Sequence, residues 1–366
     1  MKTEIRTLTT TAALFLFAAV AQAQPFTPGD LVVLRDGTGS GALSSAGTAI
    51  FLDQYTTTPS GYVNSLAIPS TGSSALVNSG SAASEGGLNL SGDGQYLVFA
   101  GYNAAAGTAS IASTTAAAVP RGVATVDASG NYTFAATTSS FFSGNNVRSG
   151  ATDGSGNFWA VGANSGTVYM GTGTPGAVSS TVANNRIIQD IGGNLYFSTG
   201  SGTSRGIYEI SGTPTSGANT AVSLINNGGG ASPYDFTFNS SLTIAYVADS
   251  SPFTNSTTIG GVEKWSFNGS AWVFNYSLSY GTNGAVGLAV NYSGANPIIY
   301  ATSANGASLF TVTDTGSSAT GSLLDTAGAN EAFRGLDFAP TPEPSTFAMI
   351  GLGVMTLWGF RRNRKS

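Results

Sequence analysis

The chemistry open to this chain is limited first by two residue types that it lacks. Its 366 residues include no histidine and no cysteine, which removes the commonest general base, the commonest transition-metal ligand and all thiolate chemistry. The remaining candidates for acid–base work are carboxylates at the ends of apolar segments: Asp53, Asp127, Asp190, Asp235, Asp249 and Asp337. Hydrolysis needs two carboxylates together or a nucleophile with a base, and the sequence shows neither pattern. We therefore expect that the protein is not an enzyme.

One short segment carries oxygen ligands at alternate positions. Asp153, Ser155 and Asn157 in "DGSGN" have the spacing that opens a calcium loop, but the distant glutamate that completes such a loop is missing. A tight hairpin turn explains the same residues, and it also explains "SGDG" at 91–94. Calcium is a weak candidate, and no other metal or cofactor is predicted.

The middle of the chain is acidic, sparsely charged and rich in small polar residues. Residues 24–341 contain seven Lys or Arg and sixteen Asp or Glu, which gives a net charge of about −9. This balance argues against binding of nucleic acid or anionic lipid, and it suits polysaccharide-rich surroundings. Some aromatic side chains could stack on sugar rings or could instead fill the core. They are Trp159, Trp265, Trp272, Tyr96, Tyr196 and Tyr246.

The elements that must position these residues repeat along the chain. Five segments share an apolar strand, a turn of Gly, Asn, Asp or Ser, and an aromatic-rich strand. They are "GLNLSGDGQYLVFAG" from Gly87, "GATDGSGNFWAVG" from Gly150, "IQDIGGNLYFSTG" from Ile188, "DFTFNSSLTIAYVAD" from Asp235 and "GLAVNYSGANPIIYATS" from Gly287. Each predicts a β-hairpin, and the repeat length of roughly 40 to 60 residues is typical of a four-stranded propeller blade.

The two ends of the repeat region complement each other. "FRGLDFAP" (333–340) has only the first strand of the pattern, whereas "DLVVLRDG" and the segments after it supply strands with no first strand. Pairing them would complete one blade and leave no open sheet edge, so we predict an all-β, six-bladed propeller closed by its terminal strands. The segments resemble secreted β-propellers of the YVTN, NHL or lactonase-like kind. A pair of β-sandwiches or a β-solenoid is the alternative.

The beginning of the chain has the three parts of a secretory signal. Lys2 and Arg6 precede the apolar stretch "TAALFLFAAVA", and "AQA" supplies small residues at Ala21 and Ala23. Cleavage there would leave Gln24 first. We predict a signal helix over residues 1–23, with an uncleaved anchor as the alternative.

The end of the chain combines a proline-containing segment, an apolar segment and a basic cluster. Residues 345–360 carry no charge, which is near the lower limit for one transmembrane helix. A basic cluster follows and should stay in the cytoplasm: Arg361, Arg362, Arg364 and Lys365. Before the run, Pro342 and Pro344 flank Glu343 and should keep the backbone extended and open to a protease. We predict three parts: 1–23, the ectodomain 24–340, and a sorting signal over 341–366.

This tripartite end resembles the PEP-CTERM sorting signal of Gram-negative bacteria. The resemblance implies that an exosortase, a membrane-embedded transpeptidase, cleaves at or near Pro342–Pro344 and delivers the ectodomain to the cell surface or an exopolysaccharide matrix. In that setting Glu343 would be read by the enzyme and the basic cluster would act as a stop-transfer plug. Permanent anchoring by the helix is the alternative.

Two functions therefore remain open for the ectodomain. The first is a non-enzymatic binding or structural propeller at the cell surface, in contact with the bacterial membrane during sorting and with polysaccharide afterwards. The second is a secreted propeller hydrolase or lyase that uses carboxylates of the central channel and calcium.

Overall fold

The computed structural model describes residues 25–342, which fold into β-strands joined by short turns. Within this range the one helix is a 3₁₀ turn at Ile111–Ser113. In chain order the strands are β1 (Leu31–Asp36), β2 (Gly47–Tyr55), β3 (Tyr62–Ala67), β4 (Val77–Ser79), β5 (Leu88–Leu90), β6 (Tyr96–Tyr102), β7 (Arg121–Asp127), β8 (Tyr132–Thr138), β9 (Val147–Thr152), β10 (Phe158–Gly162), β11 (Thr167–Tyr169), β12 (Gly176–Ser179), β13 (Asn185–Ile191), β14 (Asn194–Thr199), β15 (Gly206–Ile210), β16 (Ala221–Asn226), β17 (Pro233–Phe238), β18 (Ile244–Asp249), β19 (Gly261–Phe267), β20 (Trp272–Leu278), β21 (Ala285–Asn291), β22 (Ile298–Ser303), β23 (Ser308–Thr313), β24 (Ser322–Thr326) and β25 (Ala332–Phe338).

The strands form five antiparallel sheets. Strands β9–β12, β13–β16, β17–β20 and β21–β24 each make a four-stranded sheet in which consecutive strands pair. The other nine strands form one sheet in the order β25-β1-β2-β4-β6-β7-β8, with β3 beside β2 and β5 beside β6. Consecutive pairing through short turns follows from the hairpin patterns, because a tight turn leaves the next strand only its predecessor to pair with.

The predicted fold class is wrong in its sheet arrangement. The sequence predicted six separate blades, whereas β4 joins what would be the first two of them into the nine-stranded sheet. Residues Val77–Ser79 pair with Ala49–Gly47 of β2, and Val77 also pairs with Tyr102 of β6. This bridge forms because β2 extends beyond β3, and its free half accepts the returning segment.

The two ends of the described chain lie side by side. Strand β1 pairs with β25, with Leu31 opposite Phe338, Val33 opposite Leu336 and a bulge before Arg35. Because β25 is held on one edge by β1, the nine-stranded sheet contains both ends of the domain.

The first strands of the units form a closed ring, here called the inner ring. Strands β25, β5, β9, β13, β17 and β21 contact one another in this order, and β21 contacts β25 again. Backbone hydrogen bonds join some of these edges: Gly335 N donates to Gly86 O at 2.9 Å, and Gly87 N donates to Arg148 O at 3.0 Å. Apolar side chains of neighbouring sheets interlock around this ring and form the core.

The predicted helices at the two ends of the chain cannot be compared with this fold. The signal helix over residues 1–23 and the membrane helix over 345–360 lie outside the described residues. Between residues 25 and 342, no helix has the length and apolar character needed to cross a bilayer.

Candidate functional site

Two of the candidate acids, Asp235 and Asp337, lie on strands of the inner ring, and each accepts a hydrogen bond from the backbone of the next strand. An innermost strand has backbone N–H groups without a partner strand, and these groups must be satisfied. Asp337 Oδ2 accepts a hydrogen bond from Leu90 N at 2.8 Å, and Asp235 Oδ2 accepts one from Leu288 N at 3.0 Å. Each carboxylate therefore ties its own strand to the next strand of the ring.

Two amide side chains extend this network. Gln189 Nε2 donates to Asp235 Oδ1 at 3.1 Å and to Phe236 O at 2.9 Å. Asn89 Nδ2 donates to Ser149 Oγ, to Gly150 O and to Ile188 O at 2.9 to 3.1 Å. The inner ring is thus held by polar side chains in addition to apolar packing.

The environment of the inner ring changes the acidity of both carboxyl groups. Burial raises the pKa of Asp337 to about 6. Burial also raises the pKa of Asp235 well above its ordinary value, and the nearby Asp337 charge raises it further. These two groups are a pair of acids that can hold protons under mildly acidic conditions; the sequence named both as candidates for the central channel but did not predict their raised pKa.

The other candidate acids have separate structural partners. Asp53 accepts from Arg35 and Ser65, and Asp127 caps its own turn by accepting from Ser129 N and Asn131 N. Asp190 lies at the opposite end of the inner strands from Arg148, near Asp93 and Asp153. Burial raises its pKa, and those two charges raise it further.

A second carboxyl pair is buried behind the inner ring. Glu263, which sequence reasoning missed, accepts from Trp265 Nε1 at 2.8 Å and from Asn227. Its pKa is raised well above the ordinary value by burial and then by Asp249. Both carboxyl groups are fully buried, so this pair belongs to the core.

The predicted calcium segment is a hairpin turn. Asp153 Oδ1 accepts from Ser155 N at 2.8 Å and from Asn157 N at 3.2 Å, while Oδ2 accepts from Asn157 Nδ2 at 2.7 Å. Both carboxylate oxygens are therefore used within the turn. No group of three or more acidic side chains in residues 25–342 has the arrangement of a metal site.

Most aromatic candidates for sugar stacking lie in the core. Trp159, Trp265, Tyr196 and Tyr246 are buried, and Trp159 Nε1 donates to Pro214 O at 2.8 Å. Their rings pack against neighbouring sheets rather than facing solvent.

Three arginines lie at the end of the inner-ring strands that is opposite to Asp190. We call this end the arginine end. Arg148, Arg186 and Arg334 come near the starts of β9, β13 and β25. Ala151, Gln189 and Asp337 occupy equivalent positions on their inner-ring strands, and each arginine lies three residues before one of them. An alignment of the repeats would therefore have found the arginines. They are three of the seven basic residues between positions 24 and 341.

Arg334 is satisfied by the protein itself. Its Nε donates to Asp36 Oδ2 at 2.8 Å and its Nη2 donates to Gly80 O at 3.2 Å. Asp36 also accepts from Asn78, so this buried ion pair fixes β25 to β1 and β4.

Arg148 and Arg186 have fewer partners. Arg148 Nη1 donates to Asn184 Oδ1 at 2.7 Å and to Asn185 O at 3.1 Å, but its buried Nε has no hydrogen-bond partner. The Arg186 guanidinium stacks 4.2 Å from the centre of the Tyr234 ring, and its buried Nε is also unpaired. Neither arginine forms an ion pair with any carboxylate of the described chain.

Glu85 lies in the loop before β5, also at this end. Its Oε1 accepts from Tyr102 Oη at 2.6 Å and from Asn146 Nδ2 at 2.5 Å, and its Oε2 accepts from Ser79 N at 2.7 Å. Burial raises its pKa to about 7 in spite of these bonds. Glu85 is only 3% exposed, so solvent does not stabilise the negative charge of its carboxylate.

The domain ends at the opposite face from the arginines. Ala339 N donates to Asp30 O at 2.8 Å, and Thr341 N donates to Gly94 O at 3.0 Å in the β5–β6 turn. Gly94 has a φ of 73°, which this tight turn requires. Pro342 is the last described residue, and it follows this contact directly.

The other predicted processing residues lie outside the described range. They are Glu343, Pro344, Arg361, Arg362, Arg364 and Lys365 in the tail, and Ala21, Ala23 and Gln24 at the start.

Residues 340–365 match the family model of the PEP-CTERM protein-sorting motif. This chain carries a PEP-CTERM sorting motif. The motif implies an exported protein that is processed by an exosortase-type enzyme, as the sequence pattern predicted. No curated protein matches the chain in sequence.

Solved structures that resemble the domain have low sequence identity to it. A protein described as a 6-phosphogluconolactonase from Bacteroides uniformis is 15% identical, with 81% of this chain and 82% of that chain covered and a TM-score of 0.43. A gluconolactonase from Xanthomonas campestris is 13% identical, with 84% and 91% covered and a TM-score of 0.44. The β-propeller domain of a trilobed protease from Pyrococcus furiosus is 9% identical, with 83% and 97% covered and a TM-score of 0.38. Likeness at these identities and TM-scores assigns neither a family nor a function to this chain.

The expectation that the protein is not an enzyme is wrong as a conclusion from composition. It was inferred from the missing histidine and cysteine, whereas the solved structures that resemble the domain include proteins described as lactonases. The likeness assigns no substrate to this chain. Whether it has an activity therefore depends on its own side chains.

Proposed function

We propose that the chain is delivered to the cell surface or extracellular matrix of a Gram-negative bacterium as a folded binding domain. In this proposal the signal over residues 1–23 directs export, and the apolar run over 345–360 holds the chain in the inner membrane. An exosortase-type transpeptidase then cuts at or near Pro342–Pro344. The domain released begins at Gln24 and binds extracellular polysaccharide.

One observation carries the sorting step of this proposal. Within the described residues, the last hydrogen bonds between the chain end and the domain come from Thr341, and the processing motif begins at the next residue. A cut after Thr341 would therefore leave every strand and every core residue of the described range in the released domain. The prolines favour an extended backbone, the conformation that a protease needs in its cleft.

The mass of the mature protein tests the sorting step. The full chain would be expressed in a bacterium that has an exosortase and recovered from the surface fraction. We expect the loss of 22 to 25 residues from the C-terminus, corresponding to cleavage between Thr341 and Ser345. The matched variant Glu343→Ala should stay in the membrane fraction with its tail, whereas Asp325→Ala should be processed normally. An intact tail on the wild-type protein would contradict the proposal and make the helix a permanent anchor.

The surface composition supports polysaccharide as the partner of the released domain. Only 8% of residues are charged, and Ser, Thr, Asn and Gly are abundant, so hydroxyl and amide groups are available to bond sugars. Retention of the domain by the extracellular matrix, compared between a polysaccharide-deficient strain and its parent, tests this part. Equal retention in both strains would contradict it.

A hydrolase or lyase is the second candidate, and Asp337 favours it, because this carboxyl group is partly exposed and lies near the buried Asp235. A carboxyl group with a raised pKa can donate a proton to a leaving group near neutral pH. Release of reducing ends from neutral and acidic polysaccharides would measure this activity. Asp337→Asn should abolish it and Asp127→Asn should retain it, with circular dichroism confirming that both variants fold. No release by the wild-type protein would exclude this candidate for those substrates.

A further inference from the structure

The arginine end contains two cations, Arg148 and Arg186, that form no ion pair within residues 25–342, although the buried Glu85 lies near enough to act on Arg148 through its charge. Most charged side chains that are removed from water have an ion-pair partner, because an unpaired buried charge costs free energy. Arg334 has Asp36 in that role. Arg148 is only 7% exposed and has two neutral acceptors, and Arg186 has the face of the Tyr234 ring.

The two guanidinium groups also repel each other. The pKa of Arg148 is lowered to about 10, first by burial and then by the charge of Arg186. Their Nε atoms are both buried and both without a hydrogen-bond partner in residues 25–342. Two guanidinium groups whose charges repel and whose donors are not all used are suited to an acceptor that carries negative charge, which would relieve the repulsion.

The surroundings keep Arg186 in one position. Tyr234 supports one side of the guanidinium at 4.2 Å from the ring centre. Gly200 lies close by, and a Cβ atom added there would stand 2.9 Å from Nη2 and 3.3 Å from Nε. A larger residue at position 200 would therefore push the Arg186 guanidinium away from this placement. Arg186 is partly exposed, so a ligand can reach it from solvent.

We propose that Arg148 and Arg186 form a binding site for an oxyanion, either a carboxylate or a phosphate group carried by a sugar. Arg186 holds the anion from the solvent side, and Arg148 holds it from the inner side of the ring. Both groups are planar forks of N–H donors, which match the oxygens of a carboxylate or a phosphate. The site does not depend on how the tail is processed, so it can fail while the sorting proposal stands.

Binding of small probes to the full chain, purified in detergent, tests this site. Isothermal titration calorimetry would use glucuronate for the carboxylate, glucose 6-phosphate and inorganic phosphate for the phosphate, and glucose as the neutral control. We expect at least one charged probe to bind, glucose not to bind, and affinity to fall as salt is added. Glucuronate alone would identify the carboxylate as the ligand group, and the two phosphates alone would identify the phosphate.

Matched variants separate the site from general charge effects. Arg186→Gln should weaken binding by about tenfold or more, because one charge-assisted pair is lost. Lys264→Gln removes the same charge at an ion pair with Asp314, outside the arginine end, and should leave the affinity unchanged. Gly200→Ala keeps both charges but displaces the Arg186 fork, and it should also weaken binding. Equal affinity of wild type and Arg186→Gln, or no binding of any charged probe, would overturn the proposal.

Discussion

Replacing Glu85 with glutamine should change how the stability of the domain depends on pH. Glu85 is buried, and its pKa rises from 4.5 to about 7 on folding, so the folded protein binds this proton more tightly than the unfolded chain does. Its contribution to stability is complete below about pH 4.5 and is lost as pH rises through about 7. Glutamine has the shape of the protonated acid and does not titrate.

The expected size follows from the shift. A rise from 4.5 to about 7 corresponds to about 3 kcal/mol of unfolding free energy, to be lost between about pH 4.5 and about pH 8. Asp337 and Asp235 shift in the same direction, so the wild-type profile contains their contributions as well. The difference between wild type and Glu85→Gln isolates Glu85.

Urea unfolding followed by tryptophan fluorescence at a series of pH values would measure this difference. We expect the stability of wild type relative to Glu85→Gln to fall by about 3 kcal/mol as pH rises across this window. Glu209→Gln is the matched control, because this carboxyl group lies partly exposed on β15. Parallel profiles of wild type and Glu85→Gln would refute the claim that burial controls this acid.

Three further substitutions test the packing and the inner ring. Gly122→Val should lower the free energy of unfolding by about 1–3 kcal/mol, because a Cβ at this position would stand 2.3 Å from Phe134 Cε2. Gly176→Ala is the control, because a Cβ at position 176 meets no atom within 4 Å. Equal urea midpoints for the two variants would contradict the predicted clash. Asp235→Asn should cost about 1–3 kcal/mol, because both side-chain oxygens of Asp235 accept N–H bonds and an amide nitrogen in place of one of them cannot accept. An unchanged urea midpoint would mean that the inner ring does not need this bond. Trp159→Phe should lower the thermal midpoint, since a fully buried side chain loses volume and its indole hydrogen bond; a midpoint within error of wild type would contradict the burial.

The hairpin content was predictable because each hairpin is encoded locally. The five segments beginning at Gly87, Gly150, Ile188, Asp235 and Gly287 all form the expected strand pairs. Their turns contain residues that tolerate positive φ, and their strands alternate or are continuously apolar. Such signals depend on neighbours within about fifteen residues and therefore survive without tertiary information.

The bridging strand β4 could not be predicted in this way. Val77, Asn78 and Ser79 are too short a segment for any periodic pattern, and they lie in a loop rich in Ser and Gly. Their pairing with β2 depends on the position to which the chain returns after β3. Asn78 then bonds to the buried Asp36, a contact over forty-two positions. Only the folded arrangement provides these partners.

The sequence by itself determined the class of structure and the processing signal. Hairpin turns and strand patterns are local, and the motif over residues 340–365 is read as a linear segment, so neither needs a folded neighbour. The tertiary structure decided which polar groups share an environment. It brought Asp235 to Asp337 inside the inner ring and Arg148 to Arg186 at the arginine end, across separations of 102 and 38 positions. Burial and nearby charges shift pKa values through space, so the positions of these residues along the chain do not reveal which of them interact.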